Sequence, residues 1–323
     1  MIQKRFGIIG NPEKDEARDA AETLVRLLAE IGAEHCSVSS EFDIRASIVT
    51  PRSSQLEIAK SSDTIFSLGG DGTMLSSARA IIRANPKAEL IGVNLGKLGF
   101  LAENPPSELY ELVMELKEGK LVKEMRSLLR ATVQSESHPE NGTTVRRDSL
   151  QPEREGQKSS SLELVALNEI VVDNYGSTRM LTFEIFVEGS LMGTIRADGL
   201  IVATPTGSTG YAVSAGGPIV EPSSPVHIIT PIAPHTLTVR PLIIPNNYEI
   251  VVRVFNPNDA STPALVVVDG QEEIISETPA VVTLSHYPKQ LHLLRRKQRS
   301  YFDLLRTKLL WSADAREPGT GRW

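Results

Sequence analysis

The sequence predicts an α/β domain with a parallel sheet, then a β-rich domain, and a C-terminal helix returning to the N-terminal domain. Three observations carry that reading. Apolar strand-like runs alternate with helix-period stretches up to about residue 125, and from residue 126 the pattern changes to short alternating segments. Helical spacing returns at Tyr301, Phe302, Leu305 and Leu309. At 323 residues the chain exceeds the size at which one core usually stops growing, so two domains are expected: 1–125 together with 295–323, and 126–294.

Taken in order, Phe6 to Ile9 reads as a strand, and Ala17, Ala20, Ala21, Leu24, Leu27, Leu28 and Ile31 recur on one face of a helix. Strands at Thr64 to Leu68 and Leu90 to Val93 follow. Turn signals close each strand, in Gly10-Asn11-Pro12, Gly69 to Gly72 and Asn94 to Gly99, the ends at which open α/β sheets hold ligands. In the second domain Leu128 to Val133, Leu164 to Val172, Thr182 to Val187, Gly199 to Ala203, Glu249 to Phe255 and Ala264 to Val268 read as strands. Residues 134–161 are polar and nearly free of aromatics, which predicts a mobile hairpin insertion, and the tail after Trp311 reads as frayed.

A net charge of −6 and a pI near 5.7 argue against a nucleic-acid partner. The short basic cluster Arg295-Arg296-Lys297 reads as a solvated helix start. A single cysteine, Cys36, fits a reducing compartment and a small buried hydrophobe, so the cytoplasm is expected. The N-terminus lacks the pattern of a secretory signal and no apolar stretch is long enough for a bilayer, so a soluble protein without a membrane partner is expected. The six histidines are scattered without metal-ligand spacing.

The segment DTIFSLGGDGT, residues 63–73, is the most informative of the chain. Gly69, Gly70 and Gly72 tolerate backbone conformations that a Cβ resists and allow close approach of a ligand. Thr73 is placed to cap a helix suggested by Met74, Leu75, Ala78, Ile81 and Ile82, leaving N–H groups for an anion. Asp71 stands out, because a carboxylate repels phosphate. It suits a general base or a metal ligand, while the plainer reading of the five residues is a tight turn.

A second block, DGLIVATPTGSTGYAVSAGGP at 198–218, offers hydroxyls, free N–H groups and the Tyr211 ring, donors and a stacking face suited to a nucleotide. A structural turn rich in Ser and Thr is the alternative. Asn168-Glu169 at a strand start could clamp a diol or be an ordinary solvated pair, and Asp269-Gly270-Gln271 could be a plain hairpin turn. Gly92 to Leu98 is not a Walker A loop, since three residues separate its glycines and Leu follows Lys97.

Five blocks in order, GGDGT at 69–73, NLGKLGF at 94–100, LNEIVV at 167–172, DGLIVATPTGSTGYAVSAGGPI at 198–219 and TPIAPHTLTVRP at 230–241, resemble the signatures of the NAD kinase family. The resemblance covers roughly residues 5–300 apart from the polar insertion. Gly210, where the family usually has Ala, is one departure and the insertion is another. The resemblance implies ATP-dependent phosphorylation of the adenosine-ribose 2′-hydroxyl of NAD with a divalent metal, Mg²⁺. Asp71 would be the base, with the loop of Gly69, Gly70, Gly72 and Thr73 cradling phosphate.

By the same resemblance Asn168 and Glu169 hold the NAD ribose, and Asp198 lies near the nicotinamide amide with Arg179 and Arg196 flanking it. Thr209, Gly210, Tyr211 and Ser214 belong to the adenosine pocket, Phe100 packs against the adenine, and Gln271 falls in that region. It also implies a homodimer or homotetramer whose sites are completed by a neighbouring β domain. A lipid kinase of the diacylglycerol or sphingosine type shares a GGDGT-type loop, and a non-catalytic NAD-binding sensor is a further reading. The 198–219 block with Asn168-Glu169 suits a dinucleotide better than an acyl chain, and intact Asp71 argues against the sensor.

Overall fold

The computed structural model describes residues 5–11, 14–52, 54–96, 99–136, 145–148, 162–175, 179–259 and 262–309. It divides into two units, one made of the chain up to Ser77, Ala88–Glu124 and the residues from His292, the other of Ala78–Lys87 and Met125–Leu291.

The first unit contains β1 (Phe6–Gly10), α1 (Asp15–Glu30), β2 (Cys36–Ser39), β3 (Val49–Arg52), α2 (Gln55–Ser61), β4 (Thr64–Gly69), the start of α3 (Asp71–Ala84), β5 (Glu89–Asn94) and α4 (Leu109–Lys117). The strands are parallel in the order β3-β2-β1-β4-β5. Every residue of β4 is buried, as a parallel strand covered on both faces requires. Helix α1 buries Ala17, Ala20, Ala21, Leu24, Leu27 and Leu28, and carries Asp15 and Glu16 at its positive end. Gly32 closes it at φ +87°, a conformation that costs glycine least. The shorter β2, β3 and α2 were not anticipated from periodicity. The strand order reverses between β1 and β4, which opens a crevice at their carboxyl ends, and Gly69 is the last residue of β4.

Helix α3 begins at Asp71 rather than after Thr73. The Gly70 carbonyl accepts the Met74 N–H at 3.1 Å, so Gly70 is the cap and Thr73 sits inside the first turn. An acid at the first helical position suits the macrodipole, which is why the helix starts earlier than a threonine cap predicts.

The second unit holds most of β6 (Val122–Ser135), β7 (Val145–Asp148), β8 (Leu162–Ala166), β9 (Glu169–Asn174), β10 (Leu181–Val187), β11 (Ser190–Ala197), β12 (Gly199–Ala203), α5 (Tyr211–Ser214), β13 (Val226–Ile232), β14 (Leu242–Pro245), β15 (Ile250–Phe255), β16 (Ala264–Val268), β17 (Glu272–Ser276) and most of β18 (Ala280–Arg295). One sheet runs β11-β10-β15-β18-β6-β8 and the other β14-β13-β12-β9-β16-β17-β7. Alternate residues of the two, among them Phe183 and Val252 from one and Val172 and Val266 from the other, meet in a single core. His292 and Leu293, at the end of β18, belong to the first unit and pair in parallel with Glu89 and Leu90. Helix α6 (Tyr301–Leu309) is also in the first unit.

Several expectations need correction. The run Leu164 to Val172 is two strands, broken at Leu167-Asn168. Within the polar tract, β7 pairs antiparallel with β17, from Val145 opposite Ile275 to Asp148 opposite Glu272. Residues 137–144 and 149–161 of that tract, and the tail after Trp311, lie outside the described residues. Arg295 is not a solvated helix start: it ends β18, is 7% exposed, and is held by Glu103 and Glu124. In α6 the buried residues are Leu304 and Leu305, and Phe302 is exposed. Cys36 is buried as expected, and burial pushes its thiol up to about 12. Among the described residues no helix is long and apolar enough to cross a membrane.

Candidate active site

In the first unit the glycine loop leaves β4 and turns into α3. Gly69 has no room for a side chain, since a Cβ there would fall 2.2 Å from Thr73 Oγ1, whereas Gly70 and Gly72 face open space. The half-buried Asp71 points its carboxylate at the segment after NLGKLGF. Oδ2 accepts the Phe100 N–H at 2.8 Å, and Oδ1 accepts those of Leu101 and Ala102 at 3.0 and 3.1 Å. A carboxylate offers about four lone-pair positions, so roughly one remains for another donor or a cation.

Gly99 in the 94–100 block and Gly92 just before it follow from this arrangement. A Cβ on Gly99 would lie 2.0 Å from Asp71 Oδ1, and one on Gly92 would lie 2.8 Å from the Ala102 Cα. Asn94 staples the turn by accepting the Gly96 N–H at 3.1 Å, and its own N–H reaches the Asn104 carbonyl at 2.7 Å. Phe100 is half-buried with the Lys308 ammonium 5.5 Å from its ring centroid, so a cation from α6 covers the ring assigned to adenine.

In the second unit a similar device recurs around Asp269. The β16–β17 turn places Asp269 at φ 50° and Gly270 at φ 65°, both left-handed, and is closed by the Gln271 N–H on the Val268 carbonyl at 2.9 Å. The turn is more than a plain hairpin. Asp269 Oδ2 accepts the Leu167 N–H at 2.9 Å, and Oδ1 those of Asn168 and Glu169 at 2.7 and 3.1 Å. That explains the break between β8 and β9. Burial pushes the Asp269 carboxyl up to about 6, against the downward pull of these three amides and of the Arg79 cation, and Arg79 and Arg83 both reach Glu272, at 3.9 and 2.6 Å.

The TPTGST loop closes over the same backbone. Thr204 donates its N–H to the Asn168 carbonyl at 2.8 Å and its hydroxyl to the Leu167 carbonyl at 2.6 Å. Gly207 packs directly on Asn168, and the space that a Cβ would fill at Gly210 lies 2.8 Å from Glu169 Oε2 and 3.4 Å from Asn168 Nδ2. Asn168, Glu169, Gly210 and Tyr211 are therefore together, with Gln271 on the turn that carries Asp269. Thr209 is half-buried with its hydroxyl on the Thr206 carbonyl, and Tyr211 and Ser214 are exposed. Asp198 sits between β11 and β12 with its charge felt by Asp173. Arg196 is exposed on β11, and Arg179 lies 3.8 Å from Asp259.

Glu169 is buried, contrary to a solvated pair. Burial, and then the neighbouring Asp269 charge, push its carboxyl up to about 8, against a smaller downward pull from the Tyr211 backbone. Asp269, with three amide donors and a cation, is the member that keeps the charge. Between pH 4.5, the ordinary Glu value, and about 8 the folded chain holds a proton that the unfolded chain has released, so this group's contribution to stability falls as pH rises. Glu169→Gln, which mimics the neutral acid, is expected to raise Tm relative to wild type at pH 8 and leave it nearly unchanged at pH 4.5. Equal Tm differences at the two pH values would rule out a buried neutral acid.

The sequence offered no sign that Asp71 binds the 100–102 amides or that Asp269 binds those of 167–169, beyond the proximity of both partners to glycine-bearing motifs. Residues 6–121 match the family model of the ATP-NAD kinase N-terminal domain, and residues 167–296 match that of the ATP-NAD kinase C-terminal domain. The chain is 35% identical over 320 residues to the NAD kinase of Bacteroides fragilis, covering 97% of this chain and 99% of the relative. It is 35% identical over 314 residues to that of Azotobacter vinelandii, covering 96% and 97%.

Among solved structures it is similar to an NAD kinase from Archaeoglobus fulgidus in complex with ATP, with TM-score 0.68, 25% identity and coverage of 95% of this chain and 98% of that one. Yeast NADH kinase complexed with NADH shares the fold, with TM-score 0.79, 21% identity and coverage of 99% and 90%. These likenesses answer the lipid-kinase reading. With models of both halves matched in order and relatives aligned over nearly their whole length, this chain belongs to the NAD kinase family and has NAD kinase activity.

Proposed function

We propose that the chain transfers the terminal phosphoryl group of ATP to the 2′-hydroxyl of the adenosine ribose of NAD, with Asp71 as the general base. The observation that supports this is the Asp71 carboxylate, fixed by three backbone amides beside the open Gly70 and Gly72. Its remaining lone pair takes the 2′-hydroxyl proton as the new O–P bond forms and the bond to the ADP oxygen breaks. Phosphoryl transfer needs positioning and charge neutralisation more than covalent help, which a rigid loop supplies.

Asn168 and Glu169 hold the ribose diol, and Thr209, Gly210, Tyr211, Ser214 and Gln271 surround the adenosine. Asp198, Arg179 and Arg196 serve the nicotinamide end. Phe100 meets the adenine once Lys308 moves aside. A divalent ion, Mg²⁺, would supply charge neutralisation at the donor phosphates. Among the described residues no group of three or more His, Cys, Asp or Glu side chains is placed to hold a metal ion. An ion that keeps several waters would be held mainly by the donor phosphate oxygens and water, which leaves the free Asp71 lone pair to the 2′-hydroxyl proton.

The active form is a homodimer or homotetramer in the cytoplasm. Leu191 and Met192 on edge strand β11, and Leu242 and Ile243 on edge strand β14, are exposed apolar residues of the kind that a second copy covers. The test is the position of the phosphate: purified protein with ATP, Mg²⁺ and NAD is expected to give a product whose new phosphate is on the adenosine 2′-oxygen by phosphorus NMR. Phosphate at another hydroxyl would overturn the proposal.

A further inference from the structure

We infer that Arg295 is a positioning residue for Asp71, acting through Glu103 on the segment that binds the Asp71 carboxylate. The inference rests on the reading of Asp71 as the base, and all the residues involved lie in the first unit. Residues 100–104 have two tasks. The amides of Phe100, Leu101 and Ala102 hold Asp71, and the next two residues anchor the segment.

Glu103 is the first anchor. Arg295 grips it as a fork, Nε to Oε1 at 3.0 Å and Nη2 to Oε2 at 2.6 Å, and the third nitrogen, Nη1, donates to Glu124 at 2.7 Å. Both members of the fork are buried, Glu103 2% and Arg295 7% exposed. Arg299 adds a bond from its guanidinium to the Glu103 carbonyl. Asn104 is the second anchor, with Nδ2 on the Gly92 carbonyl at 2.8 Å and its own carbonyl on the Asn94 N–H at 2.7 Å.

A buried ion pair is poor evidence of net stabilisation, because desolvation offsets most of the attraction. Its geometry is another matter. A bidentate fork fixes the direction as well as the distance of the carboxylate it holds. Fixing Glu103 places the Ala102 amide one residue before it, and through it the other two donors. Misplacing a reacting group by about 1 Å can cost about 10²-fold in rate. The pair therefore acts on turnover more than on substrate affinity.

The test uses the full chain with Glu103→Gln, Arg295→Lys and Arg295→Met. Steady-state kinetics are combined with hydrogen exchange of residues 99–104 by mass spectrometry, well below each variant's Tm. Glu103→Gln keeps the shape of the pair and leaves Arg295 neutralised by Glu124. It should lower kcat about 10-fold or more with KM for NAD changed by less than about 3-fold. Exchange across 100–102 should quicken by about 5- to 10-fold, the loss expected when one hydrogen bond's worth of protection goes. Arg295→Lys, which keeps a charge but not the fork, should fall between wild type and Arg295→Met in both measurements. Should Arg295→Met not fold, Glu103→Gln and Arg295→Lys decide the matter.

A lower Tm with unchanged kcat per folded molecule would mean a purely structural pair and overturn the inference, and so would unchanged exchange across 100–102. Asp71→Asn in the same assay separates the two ideas. Full turnover there removes the base reading, whereas slow turnover there with a fast Glu103→Gln variant removes only the role of the pair.

Discussion

Asp71→Asn is expected to lower turnover by about 10²- to 10⁴-fold, the contribution of one general base, while the affinity for NAD changes by only a few-fold. The substitution keeps the side-chain volume and removes the acceptor for the 2′-hydroxyl proton. It also has a local consequence. Asn Oδ1 can still accept from Leu101 and Ala102, but Nδ2 would take the place of the oxygen that now lies 2.8 Å from the Phe100 N–H, setting donor against donor. One lost amide bond costs about 1 kcal/mol, so rates should be compared below both melting transitions. Asp71→Glu is a useful companion, since the longer side chain must enter the space that Gly99 leaves for the carboxylate. It should also be slow although it remains an acid. Undiminished turnover in Asp71→Asn would end the assignment of a base here.

Gly207→Ala should have the largest effect on the second unit. A Cβ at this position would stand 2.1 Å from the Asn168 carbonyl oxygen and 2.5 Å from its carbon. Those are backbone atoms, so no rotamer change relieves the clash. The turn is tied to the same place by Gly207 N–H on Thr204 Oγ1 at 3.2 Å and by the Thr204 bonds to Leu167 and Asn168. Either that turn or the 167–169 segment must move, and the second carries Asn168 and Glu169 with it. Overpacking of this kind costs about 1–3 kcal/mol, and the upper end is expected because both partners are main chain. KM for NAD should rise by roughly 10-fold or more, the equivalent of about 1.4 kcal/mol.

Gly210→Ala is the control. Its Cβ would meet Glu169 Oε2 at 2.8 Å, the far end of a side chain, and the Gly207 carbonyl at 3.2 Å, a contact that a shift of a few tenths of an ångström relieves, so the loss should stay below about 1 kcal/mol. Calorimetry and NAD titration of the two variants make the comparison. A Gly207→Ala protein with wild-type Tm and KM would show that the turn does not press on Asn168.

The sequence was most legible where the cause of structure is local. Helix α1 was visible from its spacing, and β12 and β16 from short β-branched runs between turns, because the residues that bury them are the residues that form them. The glycine loop was visible for a similar reason, since glycine is the residue for a close approach. What was hidden has its cause far along the chain. The run from Leu164 breaks because Asp269, about a hundred residues later, takes three of its amides. Arg295 looked solvated because Glu103, its partner, lies 192 residues earlier. Thr73 looked like a cap because cap preferences say nothing about an acid that also has a distant loop to hold. Both clamps are carboxylates on consecutive main-chain donors, and no side-chain spacing announces a backbone partner.

Cys36 gives the first unit an internal reporter. The chain has one thiol, it sits fully buried on β2, and burial holds it as the unreactive neutral form. A disulfide reagent at mildly alkaline pH can reach it only when that strand leaves the sheet. The rate of labelling therefore counts the openings of β2 directly, in the unaltered protein and in every variant named above, without any engineered probe.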